Sequence, residues 1–268
     1  MKYLRPILYT LVILGTLGLL IWQGLIQKNL ETVNLIKGIL LIAASVVGIL
    51  NPSSLRKNSH RKITYMKVYG DFLQNAFADN TRLQRKLYAA LDDYNDNRHA
   101  AAIKKLTALR GQCQRSADVY AVTVFTALCH DDMNAWSDAI IHYQAALSIR
   151  DHSTLHSNMG LCLMRLNRFE EAEAALQRAI RSDETNAAAW CNLASLHLRQ
   201  GDYEGALQYA RQAIDISPKL PQALSFAAIC CGLLGDHEQY EHYYRQAVAN
   251  GYDGQTIKNT VNALDPKL

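Results

Sequence analysis

The chain begins with two apolar runs, each about as long as a membrane-spanning helix. Residues 6–26 contain no charged side chain, and residues 33–50 contain only Lys37, near one end. About 20 apolar residues cross a hydrocarbon core of roughly 30 Å, and the long stem of a lysine near a helix end lets its amine reach the interface. The pattern predicts two transmembrane helices, over about 6–26 and 33–50, that form an antiparallel hairpin. The alternatives are one crossing with an interfacial second helix, or a secretory signal peptide.

Basic residues flank the predicted hairpin at both of its ends. Lys2 and Arg5 precede the first run, and the second run is followed by Arg56, Lys57, Arg61 and Lys62. An excess of Lys and Arg marks the cytoplasmic side of a membrane segment. We therefore expect an integral membrane protein of the cell inner membrane, with membrane lipid around the hairpin. Both termini and everything after residue 62 are expected in the cytoplasm.

The net charge of +4 belongs to the N-terminal segment. Residues 1–62 contain eight of the 28 basic residues and one of the 24 acidic residues, so the rest of the chain is slightly acidic. Nucleic-acid-binding domains are usually strongly basic. The charge therefore predicts no nucleic-acid partner.

After residue 62, apolar residues recur at helical spacing, and a helix is predicted over residues 63–82. The sequence beyond it repeats itself every 34 residues, most clearly in the pairs Asn158/Asn192, Arg165/Arg199, Phe169/Tyr203, Ala172/Ala206 and Ala179/Ala213. Fainter copies precede and follow these two units. The pattern predicts five units, at about 83–118, 119–152, 153–186, 187–220 and 221–254, and a capping helix and tail over 255–268.

A 34-residue unit built from two short helices resembles the tetratricopeptide repeat (TPR). The residues that carry the resemblance in the clearest unit are Trp190, Leu193, Ala194, Gly201, Asp202, Tyr203, Ala206, Ala213 and Pro218; in the unit before it they are Gly160, Phe169, Ala172, Leu176 and Ala179. The resemblance implies an all-α chain, with the N-terminal transmembrane hairpin followed by a TPR-like α-solenoid in a right-handed superhelix. The first helix of each pair is then expected to line a concave groove.

Packing roles follow from side-chain size and from the repeat. Small residues allow two helices to cross closely, and these are Gly160, Ala172, Ala179, Ala194, Ala206 and Ala213. Large residues fill the space between units, and these are Phe169, Leu176, Trp190 and Tyr203. Pro218 is expected to end the second helix of its unit. Tyr240 replaces the small residue of this pattern, so the last unit is expected to pack less regularly.

No group of residues predicts catalysis or metal binding. The six cysteines include no C-x-x-C pair, and Cys129, Cys162 and Cys230 follow the repeat, as small packing residues do. His237 and His242 are five residues apart, whereas a helical zinc pair needs a spacing of four. The sequence also lacks a phosphate-binding glycine loop and a G-x-S-x-G motif. We expect no cofactor, no metal and no enzymatic activity.

Four polar residues are candidates for binding a partner. Asn158 and Arg165 are seven residues apart, as are Asn192 and Arg199, so each pair lies on one helix face. In the TPR geometry this face looks into the groove, where Asn can hold backbone amides and Arg can pair with a carboxylate.

These residues predict a membrane-anchored adaptor or scaffold that binds a peptide segment of a partner protein. Two alternatives stay open. In the first, the four residues bind no ligand, because Asn and a basic residue are common at these places in TPR proteins generally. In the second, the chain is an exported assembly factor or chaperone for envelope or cofactor-bearing proteins.

Overall fold

The computed structural model describes residues 69–264. The chain divides into two units between Gly70 and Asp71, and the repeats lie in the second unit. Residues 69–73 are helical and are followed by turns. The described helices after these turns are α1 (Thr81–Asn95), α2 (His99–Arg110), α3 (Ser116–Asp132), α4 (Trp136–Leu147), α5 (Ser153–Arg165), α6 (Phe169–Ser182), α7 (Ala187–Gln200), α8 (Tyr203–Ile216), α9 (Pro221–Leu233), α10 (His237–Ala249) and α11 (Gly254–Leu264).

Consecutive helices pack as pairs, and the pairs stack. The pairs are α1/α2, α3/α4, α5/α6, α7/α8 and α9/α10, and α11 packs against α9 and α10. Some first helices of neighbouring units also touch: α5 touches α7, and α7 touches α9. Each unit thus buries its apolar face against its neighbours. The predicted all-α solenoid is confirmed.

The turn inside each pair is built on a residue in the left-handed conformation. These residues are Asn97 (φ 58°), Asn134 (φ 59°), Asn167 (φ 57°), Gly201 (φ 82°) and Gly235 (φ 76°). The following N–H then bonds back to the first helix, as Arg168 N–H does to Leu163 O at 2.9 Å. This arrangement ends the helix by a Schellman motif. Asn and Gly occupy these places because they tolerate a positive φ best.

Small residues let the helices of a pair approach closely. The alanines among the predicted packing residues, at 172, 179, 194, 206 and 213, are all fully buried. A Cβ added at Gly160 would lie 2.7 Å from Cγ of Leu176, which is itself fully buried. Leu193 is also buried, whereas Phe169, Trp190 and Tyr203 are partly buried. Helix α8 ends at Ile216, two residues before Pro218.

The predicted continuous helix over residues 63–82 is wrong where the structure describes it. Turns replace the helix over residues 74–79, and both Asn75 and Phe77 have a positive φ. Contacts to α3 hold this conformation. Phe77 N–H donates to Asp118 Oδ1 at 2.6 Å, and the Arg115 guanidinium donates to Asn75 O at 2.6 Å. Local helical spacing does not reveal contacts made 40 residues away.

One predicted unit boundary also differs from the observed helices. The second unit was expected to start at residue 119, but α3 begins at Ser116. Arg115 and Asp118, which hold the preceding turns, lie at this earlier start. The first turn of α3 therefore belongs to the contact with the preceding segment as well as to its own unit.

The predicted localisation as an integral membrane protein with cytoplasmic repeats is corrected. No helix within residues 69–264 is long and apolar enough to cross a membrane. The longest of them, α3, has 17 residues, whereas a spanning helix needs about 20 apolar ones. The predicted segments 6–26 and 33–50, with their expected lipid contact, lie outside the described residues.

Candidate peptide-binding groove

The four predicted binding residues lie on α5 and α7, the first helices of two neighbouring units. Asn158 and Asn192 are half-buried, and Arg165 and Arg199 are exposed. Although the sequence places them at equivalent positions, the structure gives the two arginines different surroundings.

Arg199 is held by the unit before its own. Its guanidinium donates to Met164 O at 3.0 Å and to Asn167 Oδ1 at 3.1 Å. It also lies 5.1 Å from the centre of the Phe169 ring, within the range of a cation–π contact. Arg199 therefore closes the turn between α5 and α6, and its guanidinium is held in place by two hydrogen bonds.

Arg165 makes no hydrogen bond and no ion pair within the described residues. Its side chain is exposed at the C-terminal end of α5. Burial raises the pKa of the Asp131 carboxyl, and the positive charge of Arg165 lowers it by a smaller amount. The Arg165 guanidinium is thus free to pair with an external carboxylate.

Asn192 bridges the two helices. Its Nδ2 donates to Ser157 Oγ on α5 at 2.9 Å. Because an amide side chain has a carbonyl oxygen as well as its N–H donors, this bond leaves Oδ1 as an acceptor. That oxygen accepts no hydrogen bond within residues 69–264.

Asn158 belongs to a different polar network. Its side chain bonds the hydroxyl of the fully buried Tyr143, and Tyr143 Oη donates to Asp131 Oδ2 at 3.0 Å. Burial raises the pKa of Tyr143, so the hydroxyl stays protonated and continues to donate. This network joins α3, α4 and α5.

The partners of these residues do not follow from the 34-residue spacing. Ser157 and Asn192 are 35 residues apart, and so are Met164 and Arg199. This spacing is one residue more than the repeat, so each side chain meets the residue just before its own counterpart in the preceding unit. A search for polar pairs at 35 residues could have found the Ser157–Asn192 contact, but not the bond from Arg199 to the backbone carbonyl of Met164.

Among the four units from α3/α4 to α9/α10, the two middle ones have Asn and Arg at the predicted binding positions. At the positions of Asn158 and Asn192, the units on either side have Phe125 and Phe226. At the positions of the arginines, those units have Asp132 and Leu233. The predicted Asn and Arg pairs therefore occur on α5 and α7 but not on α3 or α9.

The thiols are buried rather than exposed for chemistry. The six cysteines are free, and all but Cys113 are buried. Burial raises the pKa of Cys129, Cys191 and Cys230 to about 12, which keeps them protonated. Among residues 69–264, no three His, Cys, Asp or Glu side chains are grouped so that they could hold a metal ion.

Residues 158–221 match the family model of the tetratricopeptide repeat. Solved structures show the same fold. One is a tetratricopeptide repeat protein from Parabacteroides merdae, with a TM-score of 0.57, 16% identity, and coverage of 68% of this chain and 72% of that chain. Another is YrrB, described as a TPR protein with an unusual peptide-binding site, with a TM-score of 0.51, 15% identity, and coverage of 68% and 94%. The fold is a TPR-type all-α solenoid, as predicted.

A relative with higher sequence identity is the photosystem I assembly protein Ycf3 of Cyanophora paradoxa. It is 32% identical over 98 residues, which are 33% of this chain and 57% of that protein. The chain thus spans just over half of this relative's length. Neither these comparisons nor residues 69–264 support the predicted membrane hairpin.

Proposed function

We propose that this protein is a non-enzymatic adaptor that binds an extended peptide segment of a partner protein along α5 and α7. TPR proteins bind protein or peptide partners, and the solved structure of YrrB is described as having a peptide-binding site. An extended peptide presents backbone N–H and C=O groups that amide side chains can pair with. The free Oδ1 of Asn192 would accept from such an N–H.

The availability of Arg165 is the observation that carries this proposal. Arg199, its counterpart in the next unit, is tied to Met164 and Asn167. Arg165 is exposed and makes no such bonds within the described part of the chain. We therefore assign the recognition of a peptide carboxylate to Arg165 and a mainly structural role to Arg199.

Photo-crosslinking of the full-length chain in its native cells tests this proposal. A photoreactive residue at Ser195, on α7, should capture a specific protein, whereas one at the exposed Gln208 on α8 should not. Arg165→Gln should reduce the Ser195 product several-fold without changing the amount of protein. Equal products from both sites, or an unchanged product in R165Q, would argue against the groove.

A second proposal is that the bound partner is a subunit awaiting assembly. The similarity to a photosystem I assembly protein supports this role. In a pulse–chase version of the crosslinking experiment, an assembly factor should capture its partner mainly soon after synthesis. A scaffold should capture it equally at all times, and that result would exclude the assembly role while leaving peptide binding intact.

A further inference from the structure

A second polar pocket lies beside the C-terminal end of α6. It is an open cavity of about 380 Å³ lined by Asp151, His156, Arg178, Arg181 and Ser182. Three of these residues come from α6, the second helix of its pair. None of them is among the four predicted groove residues, so this pocket is separate from the proposed peptide contacts.

Two large side chains of the next unit are replaced by smaller ones in this unit. The next unit has Trp190 and Tyr209, with ring centres 6.1 Å apart, and Trp190 Nε1 donates to Glu184 O at 3.0 Å. The equivalent residues, 34 positions earlier, are His156 and Ala175. His156 lines the pocket and is smaller than the Trp190 indole at the equivalent position of the next unit.

The acidic residue of the pocket is already paired. One oxygen of Asp151 lies 2.7 Å from His156 Nε2, and the other accepts from Ser182 Oγ at 2.7 Å. These two hydrogen bonds, that of Ser182 first, hold the pKa of Asp151 below its usual range, so its carboxylate stays ionised. His156 is 7% exposed. Asp151, His156 and Ser182 therefore form a connected wall that leaves the two arginines as the free charged groups.

The two arginines concentrate positive charge at this one place. Arg178 and Arg181 are exposed, and neither makes a hydrogen bond or an ion pair within residues 69–264. They are three residues apart, so they are neighbours on the helix surface. The pairs α3/α4, α7/α8 and α9/α10 have no basic residue at either position; their residues are Ala145, Ser148, Gln212, Asp215, Gln246 and Ala249.

We propose that this pocket binds an anionic oxygen group, supplied by a carboxylate in an acidic segment of a partner protein. A guanidinium group presents a planar fork of N–H donors that matches a carboxylate. Two arginines outweigh the single carboxylate of the lining, which is itself paired. Because the pocket is open at the surface, a side chain projecting from a partner can reach both guanidinium groups. A phosphate group has the same chemistry, and the test separates the two sources.

Binding of a fluorescein-labelled hexaglutamate peptide to the full chain, followed by anisotropy at low salt, is the test. The variant Arg178→Gln/Arg181→Asp gives the pocket the residues of the next unit, Gln212 and Asp215. We expect at least about a tenfold loss of affinity, because two charge-assisted contacts are removed. The matched control is Arg82→Gln/Arg85→Asp on α1, which changes the same charges at the same spacing on exposed residues. It should alter affinity by less than about twofold.

A further variant separates the shape of the pocket from its charge. His156→Trp keeps both arginines and fills the cavity with the side chain that the next unit uses, so it should also weaken binding of the peptide. Its fold is checked by circular dichroism, and the exposed arginine variants stand as the test if it does not fold.

Three results would overturn the proposal. Unchanged binding in R178Q/R181D would exclude the pocket, and equal losses in both arginine variants would show general attraction to a basic surface. Binding of inorganic phosphate, measured by calorimetry and lost in R178Q/R181D, together with no binding of hexaglutamate, would assign the site to phosphate rather than to an acidic segment.

Discussion

Two neighbouring units, 153–186 and 187–220, share a sequence pattern but expose different chemistry. The first has an unpaired Arg165, an open pocket at His156, and the two free arginines of α6. The second ties Arg199 to the preceding turn and fills the equivalent space with Trp190. Equivalent positions in a repeat therefore do not have equivalent roles, because each side chain also depends on its contacts with neighbouring units.

The two units also have different residues at the point where their helices cross closely. Gly160 faces the large Leu176, whereas the equivalent Ala194 packs with the equivalent Ala210. A small residue on one helix is thus matched to the size of the residue on the other. Substitutions at Leu176 and Gly160 therefore test this matching of side-chain sizes.

Replacing Leu176 by Ala should cause the largest loss of stability. The side chain is fully buried in the core that joins several units, and removing it leaves a cavity. We expect a loss of about 2–5 kcal/mol in the free energy of unfolding, measured by urea denaturation. The exposed Gln177→Ala serves as a control, with a change of less than about 0.5 kcal/mol. A loss as small as the control would show that the site collapses around the missing side chain.

Replacing Gly160 by Ala should cost about 1–3 kcal/mol, because the new methyl group would overlap Leu176. The double variant G160A/L176A recreates the pair found in the next unit. Its loss should therefore be smaller than the sum of the two single losses, which a double-mutant cycle measures. Strict additivity would mean that the two positions do not determine each other's size.

Arg199→Gln should reduce the stability of the fold, whereas Arg165→Gln should reduce crosslinking to the partner. Arg199→Gln removes two hydrogen bonds to the preceding turn and should lower the unfolding free energy by about 1 kcal/mol. Arg165→Gln should change it by less than about 0.5 kcal/mol while it reduces crosslinking to the partner. Equal destabilisation by both substitutions would contradict the distinction between a structural and a recognition arginine.

The smallest expected effect is on how the free energy of unfolding depends on pH under acidic conditions. Each unit has a His paired with an Asp at 2.7 Å: His156 pairs with Asp151, just before its unit, and His197 pairs with Asp202. The pKa of Asp151 is lowered by hydrogen bonds from Ser182 and His156, and that of Asp202 by those from Gly205 N–H and His197. A carboxyl group with a lower pKa in the folded state stabilises the fold when the pH is above its unfolded-state pKa, about 3.9. This stabilisation is lost as the pH falls through the folded-state pKa.

Because both carboxylates are more than a third exposed, each contribution should be below about 1 kcal/mol. Asp202→Asn should keep the helix cap, since Asn caps as well as Asp, but lose part of the decline in stability between about pH 5 and pH 2. Urea denaturation across this pH range measures it. An identical pH profile in the variant would show that Asp202 makes no contribution of this kind.

The repeat itself could be determined from the sequence alone. Alternation of small and large apolar residues recurs every 34 positions, and Asn167 and Gly201 mark the turn inside their units. These features act locally: small residues permit close helix packing, and Asn or Gly permits a positive φ. Local preferences of this kind depend on residue type alone, so the TPR-type fold could be predicted from the sequence.

Only the tertiary structure decided how the repeated positions are used. The turns at residues 74–79 depend on Arg115 and Asp118, and the binding capacity of Arg199 depends on Met164 and Asn167. The pocket beside α6 required His156, Asp151 and two arginines to come together. A repeat makes the residues of each unit look interchangeable, but hydrogen bonds and cavities form between particular atoms. The contacts between one unit and the next therefore separate a structural arginine from a free one.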